Sequence, residues 1–209
     1  GRERNFTSLT ADQKDLLLKT RLTIYICEGK ESEIKDWFKT INISGKPLND
    51  QELLNATYSG PFVTKAKEVF SNSSNANMHK WQRFVSGDPK RQAVLAAALE
   101  WVSKGRVREY LKDHRYNPDI SELKQYFESV IAWIDGTFKD IRDEMCGLEW
   151  GRIYETYHSK GYDIDKVWER VEALFVDADN DIIKNRKNIF EYVLGGETDR
   201  PQAPEDTHF

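Results

Sequence analysis

Four histidines and two cysteines are the nitrogen and sulfur ligands a zinc site would draw on, and they stand far apart. His79, His114, His158 and His208 are widely separated from one another, and neither Cys27 nor Cys146 lies near another ligand at a zinc-like spacing. No metal site is expected. Asp177, Asp179 and Asp181 begin as a calcium loop does, but Ile182 stands where such a loop needs Gly and Asn188 where it needs Glu. They read as a solvated helix end. The sequence contains no GxSxG nucleophile elbow and no glycine-rich phosphate loop. No cofactor is expected in this chain, which reads by itself as non-catalytic.

Basic side chains gather three times. Lys80, Arg83, Lys90 and Arg91 flank Trp81; Lys104, Arg106, Arg108 and Lys112 form a second group; Lys184, Arg186 and Lys187 form a third. Such groups can grip phosphates, with affinity that falls steeply in salt. They can equally be solvated helix faces balanced by carboxylates, and the acidic total favours that. Two amides, Gln51 and Asn55, stand at i and i+4 and so share one helix face. They can bond a base edge, a backbone or a neighbouring domain. Asn42, Gly45, Asn49 and Glu52 around them have the types that build a turn and cap a helix.

Helical periodicity positions these groups. Thr10 to Gln13 and Asn49 to Glu52 are capping boxes. Ile34, Trp37, Phe38 and Ile41 share a helix face. Pro61 suits the first turn of the next helix. Asp88-Pro89 reads as the start of a helix through Trp101, and one stripe from Leu123 to Met145 as a long helix in which Gly136 allows a kink. The fold is predicted to be mainly α, about nine helices with one short β-strand over Leu22 to Cys27. The polar run Ser71 to Asn77 is the best internal boundary, and the tail from Glu197 has no period and reads as a linker.

Composition agrees. The 209 residues carry 31 Lys+Arg against 35 Asp+Glu, a formal charge of −4, so nucleic acid would need a local patch. Aromatic content of 12% argues against disorder. No apolar run approaches bilayer length, and Gly1 to Thr10 has no apolar stretch of a secretory leader, so no membrane association is expected. Two cysteines fit a reducing cytoplasm. A lone strand needs a partner, supplied by a missing neighbouring domain or by a second copy in a homo-oligomer.

The segment Phe38 to Ala56, FKTINISGKPLNDQELLNA, resembles the pattern F-x-R-I-N-x-x-G-x-x-L-x-x-Q-E-L-R-N-A of the GmrSD-type restriction family. The matching positions are Phe38, Ile41, Asn42, Gly45, Leu48, Gln51, Glu52, Leu53, Asn55 and Ala56. Thr40 and Leu54 replace the two arginines of the pattern, so no contact of theirs carries over. The resemblance implies that residues 1–70 end a ParB-like domain, 71–77 link, and 78–196 form a helical domain before the 197–209 tail. It also implies an upstream D-G-Q-Q-R motif and a downstream HNH nuclease domain, neither of which lies in these residues. On this reading the chain is the non-catalytic middle region of a DNA-processing or phage-defence nuclease. Asn42, Gln51, Asn55, Lys80, Arg83, Lys90 and Arg91 would contact DNA or a neighbouring domain. The alternative is a helical interaction or oligomerisation module that touches no nucleic acid.

Overall fold

The computed structural model describes residues 6–21, 26, 28–41, 48–176 and 185–196. Among these the chain is mainly α, as the periodicity predicts, with eleven α-helices and no strand. The predicted strand at Leu22 to Cys27 lies outside the described residues, Ile26 excepted, as do Asn42, Gly45, the Asp177 to Asp181 run and the tail at 197–209.

The chain divides into two units, Gly1–Ile43 and Ser44–Phe209. The first holds α1 (Ala11–Lys19) and α2 (Glu31–Ile41). Thr10 caps α1 as expected: the Gln13 amide donates to Thr10 Oγ1 and the Thr10 amide to Gln13 Oε1. Of the side chains described in this unit none is buried, and Leu16, Leu17 and Leu18 are largely exposed.

The second unit contains α3 (Asp50–Thr57), α4 (Pro61–Phe70), α5 (Met78–Trp81), α6 (Ala93–Ser103), α7 (Val107–His114), α8 (Ser121–Thr137), α9 (Trp150–Tyr157), α10 (Ile164–Val176) and α11 (Asn188–Gly195). At its centre is α6, apolar on nearly every side, and a helix of that kind must be surrounded. Helices α3, α4, α7, α8 and α9 surround it. Its two ends are set by Gln92 and Lys104, both left-handed at φ 69° and 51°. This conformation costs a non-glycine residue free energy, so neighbours must hold it.

Residues 71–77 correct the predicted boundary. They turn the chain between two helices of one core, because Phe70 stacks on Trp81 at 5.5 Å and both meet Phe127 of α8 edge-on at 5.3 Å. Trp101 of α6 stacks on the same ring at 4.9 Å. Burying each such ring is worth roughly 2–3 kcal/mol, so these helices are not separable pieces. Asn75 Nδ2 also donates to the Val69 carbonyl at 3.0 Å and closes the turn. Among the described residues, the buried apolar side chains from Phe62 to Leu194 form one cluster.

Two helix boundaries also differ from expectation. Asp88-Pro89 opens a 3-10 turn, Pro89–Arg91, whose Lys90 amide donates to Asp88 Oδ1 at 2.9 Å, and α6 begins only after Gln92 reverses the backbone. The long stripe is not one helix. α8 stops at Thr137, Phe138 becomes extended, and a 3-10 turn at Asp143–Met145 carries the rest. The break lets Phe138 reach Trp150 at 5.9 Å and Phe190 at 5.7 Å, contacts a straight helix would forgo.

Candidate functional site

Helix α3 carries the most specific part of the sequence. Asn49 caps it: the Glu52 amide donates to Asn49 Oδ1 at 2.7 Å, and the Asn49 amide to Glu52 Oε2 at 2.8 Å. The same two side chains reach across to the Pro89–Arg91 turn. Asn49 Nδ2 donates to the Arg91 carbonyl at 2.9 Å, and Arg91 Nη2 to Glu52 Oε2 at 2.9 Å. The Glu52 hydrogen bond, followed by its charge, holds the Arg91 guanidinium above its ordinary value.

One turn on, Gln51 and Asn55 are each only 7% exposed. Gln51 Nε2 donates to Asn55 Oδ1 at 2.8 Å, and Asn55 Nδ2 donates to Gln92 Oε1. Gln92 is the left-handed residue at the head of α6. The predicted amide pair therefore shares a face, as its spacing requires, and that face points inward. It fastens α3 to the strained start of the central helix.

The predicted basic group does not gather at this place. Arg91 joins α3, whereas Lys80 pairs with Asp135 of α8 and Arg83 Nη2 donates to the Ile141 carbonyl at 3.2 Å. Lys90 is exposed on its turn. In the other groups Lys104 pairs with Glu155 at 2.6 Å, Arg106 with Glu109 at 4.0 Å and Arg186 with Glu144 at 3.7 Å, while Lys187 donates to the Cys146 carbonyl at 3.0 Å. Lys184 lies outside the described residues.

A concave feature lies elsewhere, between α6 and α9. It is a cleft of about 680 Å³, within the range of roughly 300–1,000 Å³ typical of ligand sites. Ala93, Ala96 and Ala97 of α6 form part of its floor, and Phe84, Val85 and Leu148 extend it. Gly151 lets α9 lie against α6, for a Cβ there would fall 2.7 Å from Trp101 Cγ. Around the mouth stand Glu100, Lys104, Glu149, Arg152 and Glu155. Lys104, then the Tyr126 hydroxyl at 2.6 Å, holds the Glu155 carboxyl below the ordinary carboxylate range. Burial, then Glu155, raises the Tyr126 phenol. Arg152 bonds Glu149 at 2.8 Å and forks onto both oxygens of Glu191 at 2.7 Å, tying α9 to α11.

Apart from Lys104, a member of the second basic group, none of these cleft residues was among the candidate contacts. The available signal was Ala93, Ala96 and Ala97 at i, i+3 and i+4, a helix face too small to fill the space beside it. Among the described residues no group of three or more His, Cys, Asp or Glu stands together as metal ligands would. His114 and His158 direct Nδ1 to the carbonyls of Tyr110 and Tyr154 one turn back, and each ring stacks on that tyrosine. No described helix is long and apolar enough to cross a membrane. Comparison with protein-family models, with curated proteins and with solved structures finds no match for this chain.

Proposed function

We propose that the helical unit is a non-catalytic interaction module, holding neighbouring parts of a DNA-processing or defence nuclease in place without itself gripping DNA. The observation that carries this reading is the bonding of the α3 motif. Asn49, Gln51, Glu52 and Asn55 spend their polar atoms on Arg91, Gln92 and one another. Side chains committed inside the fold have little left for base edges, and Lys80, Arg83 and Arg91 are likewise engaged by the protein. The assignment to a restriction-type parent rests on the resemblance of Phe38 to Ala56 alone. No cofactor is part of this proposal.

Fluorescence anisotropy of a labelled DNA duplex, titrated with the chain at low and then rising salt, tests it. A module of this kind shows no saturable binding even at low salt. Binding that weakens by orders of magnitude between about 50 and 200 mM salt is the behaviour of a phosphate-gripping surface and would overturn the proposal.

A further inference from the structure

The α6–α9 cleft combines an apolar floor with an unbalanced mouth. Its width comes from missing side-chain atoms on both sides. Ala93, Ala96 and Ala97 offer only methyl groups, and Gly147, at φ 77°, has no Cβ where one would meet Ser86 at 2.8 Å. A flat or slim apolar body can therefore approach the α6 backbone closely.

The mouth has three carboxylates, Glu100, Glu149 and Glu155, against two cations. Both cations are already held: Lys104 by Glu155, and Arg152 by Glu149 together with Glu191 from α11. Glu100 is exposed and its carboxylate has no hydrogen bond or ion pair among the described residues. The field at the mouth is thus negative, with one acceptor free. An anion entering here would find both cations occupied and meet like charge.

We infer that this cleft binds a small organic cation, an apolar body bearing a primary amine or guanidinium, with the body on the alanine floor and the charge at Glu100. This goes beyond the interaction module proposed above and rests on different residues. The α3 clamp could prove to be a DNA contact and the cleft would keep its chemistry.

Tryptamine and indole-3-propionate share one indole body and carry opposite charges, so they separate charge recognition from apolar burial. Each is titrated into the full 209-residue chain while nitrogen–proton correlation spectra are recorded. Tryptamine is expected to move the amides of Ala96, Ala97, Gly105 and Gly147 with a dissociation constant of roughly 1–5 mM, reasonable for about a dozen heavy atoms. Indole-3-propionate is expected to bind about tenfold more weakly, a preference that shrinks in high salt. Glu100→Gln, at an exposed and unpaired position, should leave the melting temperature unchanged and cut the preference to about threefold. Ala97→Phe should fill the cleft and remove binding of both; if that variant fails to fold, Glu100→Gln and the probe pair still decide. Equal or tighter binding of indole-3-propionate, an undiminished preference in Glu100→Gln, or no movement of those amides at about 20 mM tryptamine would overturn the inference.

Discussion

Asn55 joins two helices with one side chain. Its Oδ1 accepts from Gln51 and its Nδ2 donates to Gln92, whose left-handed backbone starts α6. Removing a buried amide leaves two partners unsatisfied, so Asn55→Ala should cost about 2–4 kcal/mol, read as a lower urea midpoint at unchanged slope. A cost below about 0.5 kcal/mol would mean that the amide does no structural work. Glu155 gives a pH-dependent counterpart. Its carboxyl is held below the ordinary 4.5, first by Lys104. With the folded value the lower of the two, the stabilisation is complete above that ordinary value and disappears as pH falls through the folded one. Glu155→Gln should therefore be less stable than the parent at neutral pH, with the gap closing in acid. A gap independent of pH would contradict this.

At the scale of elements, glycine decides how closely helices pack. Gly151→Ala puts a methyl 2.7 Å from Trp101 Cγ, closer than side chains pack, so α6 and α9 must shift to admit it. The expected loss is about 1–3 kcal/mol, measured by denaturant melts, and a neutral result would show that the two helices are not in this register. Much of this arrangement was legible in the sequence. The caps at Thr10 and Asn49, the proline start of α4 and the apolar stripes of α8 and α11 follow local rules, because capping and periodicity depend on nearby residues. The break at Phe138 and the turn at Pro89–Arg91 do not. Each depends on a distant partner, Trp150 and Phe190 for one and Asn49 and Glu52 for the other. The amides at 51 and 55 show the same limit from the side of function. Spacing places them on one face but cannot tell whether that face meets solvent or Gln92.

At the scale of the whole molecule, every side chain described as buried lies in the second unit. The functional reading depends on one property of the second unit: its most distinctive polar residues hold the protein to itself. Hydrogen exchange of the Gln51 and Asn55 side-chain amides, followed by NMR with and without a DNA duplex, measures that property directly. Internal bonding predicts slow exchange and resonances that duplex DNA leaves in place. Exchange at solvent rates, or displacement of those resonances by DNA, would contradict it.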